Sequence, residues 1–232
     1  MIKSAYFRYK EFARMNGIDE QYLIRSFSWD KGNQDSRQKL MELLRANGAN
    51  AKHFSDEYFN KFYLVHKIGH IILHRHDYDE AAHSAEAEYF SNLFAYKYFE
   101  FKKENRYLDE LSTRIDALLY LHNANFDFKL PLMNSLYDKY RKDLRTYAAF
   151  HFNSYRKCRS VDKNLLAVMQ AISRGKMASL NTGIVLRRNL VGIDLVNECL
   201  STVFEMNEEP PAVGLEYRAE LSVDTFDLGI FS

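Results

Sequence analysis

The alternation of apolar and polar positions predicts a chain made mostly of helices. Phe7, Phe12, Ile18, Leu23, Ile24 and Phe27 give residues 4–27 a helical pattern, which breaks at the turn-rich segment Trp29–Asp35. Leu40, Met41, Leu43 and Leu44 mark a short amphipathic helix over Ser36–Ala46, and Asn47-Gly48 reads as its stop signal. A helix capped by Asp56 is expected to begin near Glu57 and to end near Arg75. Leu64, Val65, Ile68, Ile71, Ile72 and Leu73 surround its middle, so it should be buried. A second helix is predicted over Ala82–Lys102, on the stripe Ala85, Tyr89, Leu93 and Tyr96. The charged break Lys102–Arg106 is the best domain boundary, dividing 1–104 from a helical region over 105–232. In that region helices are expected over Leu108–His122, from Pro131, and over Gly183–Phe204. Val213–Ile230 alternates enough for a terminal strand or hairpin. The fold class is therefore α+β, mainly α, with a small sheet.

Candidate chemistry concentrates in the buried helix. His66 and His70 stand four residues apart, which on a helix places both imidazoles on one face. Two buried histidines so spaced, followed by an acidic helix, are the arrangement of a zincin metal site. The zincin motif is H-E-x-x-H, whose Glu is the general base for the zinc-bound water. Lys67 stands at that position, and a protonated Lys accepts no proton. At an effective dielectric of about 20, two unit charges ~5 Å apart interact by about 3 kcal/mol, so an ammonium there opposes a divalent cation.

The stretch Lys61-Phe62-Tyr63-Leu64-Val65-His66-Lys67-Ile68-Gly69-His70, then Leu73-His74 and Glu86-Ala87-Glu88-Tyr89-Phe90-Ser91, resembles the ImmA/IrrE family of zinc metallopeptidases, over about residues 60–100. The resemblance implies a zincin-like domain over 1–104 with His66, His70 and Glu86 as metal ligands and zinc as the cofactor. Gly69 and His74 also match the family pattern. Lys67 replaces the catalytic Glu, and Glu88 replaces the usual Asn. The family places a strand near Ala49–Phe54. Its members relieve repression in bacteria and mobile elements by cleaving helix-turn-helix repressors. The expected function here is a non-catalytic descendant that binds a protein partner in phage or mobile-element regulation or phage–host conflict. An active zinc peptidase using Asp79, Glu80 or Glu88 as its base is the alternative.

Other residues compete for the ligand roles. His66, His70 and His76 fit the H-x-x-x-H-x-x-x-x-x-H spacing of metzincins, but Leu73 stands where that motif needs Gly. His74 and His76 are additional candidates, His83 is a nearby one, and Glu80 or Glu88 can take the place of Glu86.

Composition narrows the remaining classes. The 17 Phe and 16 Tyr against 9 Gly and 3 Pro suit aromatic-packed helices. A formal net charge of +1 gives no global case for nucleic acid. Two local features keep that partner in view: the helix-turn-helix-like segment Phe12–Phe27, and the interleaved basic and aromatic residues of Lys139–Arg159. Both also read as ordinary helices with solvated faces. Arg174-Gly175-Lys176 lacks the upstream Gly of a nucleotide-binding loop. Cys158 and Cys199 form no C-x-x-C pair, no apolar leader opens the chain, and no membrane-length apolar run occurs, so a cytosolic protein is expected.

Overall fold

Tyr63 to Leu73 are buried without exception, so the helix that carries them has no solvent face and must be central. The computed structural model describes residues 21–76, 78, 84–173, 175, 179–181, 183–204 and 210–222. Its elements are strand β1 (Gln21–Phe27), helices α1 (Gln34–Leu44), α2 (Gly48–Glu57), α3 (Tyr63–Arg75), α4 (Ser84–Phe101), α5 (Asn105–Leu121), α6 (Leu130–Tyr140), α7 (Leu144–Cys158), α8 (Leu165–Ile172) and α9 (Gly192–Val203), and strand β2 (Ala212–Arg218). The chain is mainly helical with a two-stranded parallel sheet.

α3 lies between α4 on one side and β1 and α9 on another, while α6, α7 and α8 pack against α4. The α3–α4 approach depends on Gly69. A Cβ at this position would come 2.8 Å from Ser91 Cα, so only glycine lets the two backbones meet there.

β1 pairs with β2 in parallel, from Gln21 opposite Ala212 to Phe27 opposite Arg218. Tyr22, Ile24 and Ser26 face the core with strand periodicity. The helix expected over 4–27 is thus a strand in its last seven residues, because Tyr22, Ile24 and Ser26 bury at alternate positions against α3. Residues 4–20, with most of the helix-turn-helix-like segment, lie outside the described residues.

Asn47 caps α2, its side chain accepting from Asn50 N–H, so Asn47-Gly48 starts a helix where the sequence suggests only a stop. The strand expected at Ala49–Phe54 is part of that helix. α2 continues into α3 through a π-helical turn, Tyr58–Phe62, and Asp56 caps nothing: it accepts from Asn60 Nδ2 at 3.1 Å. The extra residue in the wide turn rotates the helix face by about 100°. Ser26 Oγ of β1 donates to Phe59 O within this turn at 2.9 Å.

The core and the sheet both run across position 104, where the sequence suggests a division. A buried ionic network also spans it. Lys61 pairs with Glu104 at 2.7 Å, and Lys102 stands 3.6 Å from Glu104 and 2.5 Å from Glu198 of α9. The helix expected over Gly183–Phe204 begins only at Gly192, after Asn189 at φ 57° and with Gly192 itself at φ 62°, a left-handed conformation that stops helix propagation.

The basic–aromatic stretch Lys139–Arg159 runs from the end of α6 through a turn into the amphipathic α7. Tyr147, Phe150, Phe152 and Tyr155 of α7 enter the core. Arg159 pairs with Asp116 at 2.6 Å, and Arg156 bonds Asn125 at 2.5 Å. Among the described residues no helix is long and apolar enough to cross a membrane.

Candidate metal centre

The spacing of His66 and His70 brings their Nε2 atoms to 3.1 Å in α3, with ring centroids 4.8 Å apart. Glu88 precedes Ser91 by one turn of α4. The Gly69–Ser91 contact therefore sets the Glu88 carboxylate beside the histidine pair. Glu88 Oε2 lies 3.1 Å from His66 Nε2 and 3.3 Å from His70 Nε2. A third imidazole arrives from α7, with His151 Nε2 3.5 Å from the same oxygen. The ligand atoms of His66, Glu88 and His151 all lie within 4.8 Å of one another. His66 and His151 are 0% exposed, and His70 and Glu88 3%.

The surrounding shell orients these groups. Tyr137 and Tyr147 each donate to Glu88 Oε1 at 3.0 Å, which leaves Oε2 for the histidines. The Tyr63 ring stacks on His66 at 5.5 Å, and Tyr147 meets His151 edge-on at 4.6 Å.

Protonation states follow from burial and charge. Burial raises the Glu88 carboxyl, but the charges of His70 and His151 and hydrogen bonds to His66 and His70 outweigh it and hold Glu88 well below the usual carboxylate range. Burial holds His66 well below its ordinary value against the opposing pull of Glu88, with His70 and Lys67 adding to the depression. His151 is pushed down to about 4, by burial first, while Glu88 opposes and Lys67 and His70 contribute. A metal ion requires an ionised carboxylate and neutral imidazoles, and the depressed basicity of His66 and His151 meets the second requirement.

With Glu88 ionised, hydrogen bonds alone leave the triangle frustrated. An ionised Oε2 only accepts, so its contacts with both histidines need a proton on each Nε2. Those two N–H groups then face each other at 3.1 Å. Removing either proton sets a nitrogen lone pair against the carboxylate instead. One cation at the centre satisfies all three atoms. Zinc with bonds of about 2.0–2.2 Å has tetrahedral ligand–ligand edges of about 3.3–3.6 Å. The observed separations of 3.1, 3.1, 3.3 and 3.5 Å lie near this scale, and the chemistry of the donor set, imidazole and carboxylate, fits such an ion.

The other expected residues lie elsewhere. Glu86 is two positions from Glu88, about 200° round the helix. Its N–H donates to Asn134 Oδ1 at 3.2 Å, and the carboxylate that joins the histidines is Glu88. His74, a full turn beyond His70, meets Tyr22 Oη through Nδ1 at 2.9 Å and ties β1 to α3. His76 ends α3, its N–H directed to the Ile72 and Leu73 carbonyls. It is about 15 Å along the axis from His66. Asp79, Glu80 and His83 lie outside the described residues. Lys67 is 1% exposed, and its Nζ lies 4.8 Å from the centre of the Tyr63 ring, one turn back along α3. Sequence reasoning missed His151, Tyr137 and Tyr147. The available signal was polar groups set in the buried aromatic stripe of α7, at Tyr147, His151 and Tyr155.

Comparison of the chain with protein-family models, with curated proteins and with solved structures gives no match in any of the three.

Proposed function

We propose that this chain is a metal-binding, zincin-like protein that does not hydrolyse peptides and acts by binding a protein partner. The observation that carries the metal is the convergence of His66 Nε2, His70 Nε2 and Glu88 Oε2 at separations of 3.1–3.3 Å, with His151 Nε2 3.5 Å from the same oxygen. His66, His70 and Glu88 would hold the ion, with zinc the best match to two imidazoles and a carboxylate. A bound zinc ion supplies Lewis acidity and tetrahedral cross-linking.

Hydrolysis also requires a base beside the metal-bound water and a path for substrate. Lys67 follows His66 where zincins carry that base, its ammonium lies over Tyr63, and all four polar groups of the cluster are buried. Loss of a general base lowers hydrolytic rates by about 10²–10⁴-fold. The partner class rests on the resemblance of residues 60–100 to ImmA/IrrE proteins, whose partners are helix-turn-helix repressors. Binding without cleavage suits regulation in a phage or mobile element.

The test is metal analysis of protein purified without a histidine tag, followed by incubation with a candidate repressor with and without chelator. About one equivalent of zinc and an uncut complex are expected. Chelator-sensitive cleavage abolished by His66→Ala would overturn the non-catalytic reading, and absence of metal would overturn the site.

A further inference from the structure

We infer that His151 is a fourth protein ligand, which closes the coordination sphere so that the metal is a clamp between α7 and the α3–α4 pair. The proposal rests on the metal-binding reading above and goes beyond it in assigning the position that a catalytic zinc leaves open.

His151 Nε2 lies 3.5 Å from Glu88 Oε2, close to the 3.3 Å of His70 and the 3.1 Å of His66. One carboxylate oxygen is thus ringed by three imidazole nitrogens at a nearly common distance. His66 and His151 face each other with ring centroids 5.5 Å apart and planes inclined at 68°.

α7 is fixed in register for this role along one face. Tyr147 reaches Glu88 Oε1 at 3.0 Å, His151 reaches Oε2 one turn later, and Ser154 Oγ accepts from Asn92 of α4 at 2.9 Å. The intervals of four and three residues place these groups on one stripe facing α4. At 0% exposure His151 has no contact with bulk solvent. A sphere of three imidazoles and one carboxylate has no place for the water that hydrolysis activates. A Lys in place of the base at position 67 removes nothing that such a site uses.

X-ray absorption of the zinc-loaded wild-type protein tests the ligand count without a mutation. Three imidazoles and one carboxylate oxygen are expected. Two imidazoles plus a water oxygen would overturn the proposal. Cobalt-loaded protein gives the second readout, its visible spectrum titrated with azide in wild type and His151→Asn. Wild type is expected to ignore azide. The variant is expected to respond and to bind metal at least about 10–100-fold more weakly. Unchanged affinity and azide-insensitive spectra in His151→Asn would overturn the fourth-ligand assignment while leaving the metal site standing. A wild type that takes up neither metal overturns both.

Discussion

Two buried polar clusters join the first half of the chain to the second, and they solve the cost of burial differently. In one, Lys61, Glu104, Lys102 and Glu198 alternate in sign, and each carboxylate has an ammonium within 2.7 Å. Lys61 also lies over the Tyr107 ring at 3.7 Å, and Glu198 accepts from Arg187 N–H at 2.8 Å. Two ammoniums meet two carboxylates, so the network's charges cancel within the chain. In the other, three imidazoles crowd a single carboxylate oxygen, with burial depressing the basicity of His66 and His151. The pairing separates the two: the first cluster joins two ammoniums to two carboxylates, and the second sets three imidazoles round one carboxylate with the Lys67 ammonium buried nearby. Burial therefore does not by itself mark a functional site. The convergence of three imidazoles on one carboxylate oxygen is what makes the second cluster the candidate.

The largest effect expected is on the self-balanced network. Glu198→Gln leaves Lys102 buried beside a neutral amide, which should lower unfolding free energy by about 3–5 kcal/mol. Denaturant melts with and without chelator should show the same loss in both, because this network uses no metal. A loss that appears only in metal-loaded protein would dissolve the distinction between the clusters.

Acid should act on the second cluster. His66 and His151 are neutral in the fold, so as pH falls below 6.5, the ordinary histidine value, the unfolded chain takes up protons first. Stability contributed by His151 is complete above that pH and is lost as pH falls toward about 4, where the folded imidazole also protonates. The expected loss is about 3 kcal/mol, read from melts of metal-free protein across that range. His151→Asn should flatten the profile, and a profile unchanged by the substitution would remove His151 from the titration.

Gly69→Ala puts a methyl group 2.8 Å from Ser91 Cα and forces α3 from α4. A loss of about 1–3 kcal/mol is expected, with weaker metal binding as Glu88 withdraws. Retained zinc affinity, measured by competition with a chelating dye, would show that the α3–α4 contact does not set the ligand distances. Lys67→Met removes a charge that depresses His66 and His151. Metal affinity should rise about tenfold, since ~1.4 kcal/mol is well within the interaction of two nearby charges at intermediate dielectric. A fall instead would make Lys67 a support of the site. The smallest effect is at His74→Phe, which loses the Tyr22 contact for about 1 kcal/mol and should leave metal affinity unchanged.

The histidine helix was legible because both of its signals are local. Four-residue spacing and an unbroken apolar surround need no knowledge of the rest of the chain. The carboxylate-bearing helix α4 was legible as a helix, but which of Glu86 and Glu88 meets the histidines depends on its rotation about its axis. That rotation is set by the Gly69–Ser91 contact, between residues on different helices. His151 belongs to a third helix, and no local pattern tells which buried histidine meets which carboxylate. β1 was read as helix because Leu23, Ile24 and Phe27 also satisfy helical spacing, whereas its actual pairing partner, β2, lies at the far end of the described chain. The π-helical turn was invisible for a similar reason: Ser26, from another element, engages the Phe59 carbonyl.

That strand pairing has a consequence for synthesis. Gln21 leaves the ribosome long before Ala212, its partner in the sheet. At ~5–20 residues per second the delay is on the order of 10–40 s. Throughout it, β1 offers an unpaired edge that other nascent chains can occupy. The helices of the candidate metal centre are translated well before β2, so an ion captured there by the emerging chain would hold α3, α4 and α7 together while the sheet waits for its second strand.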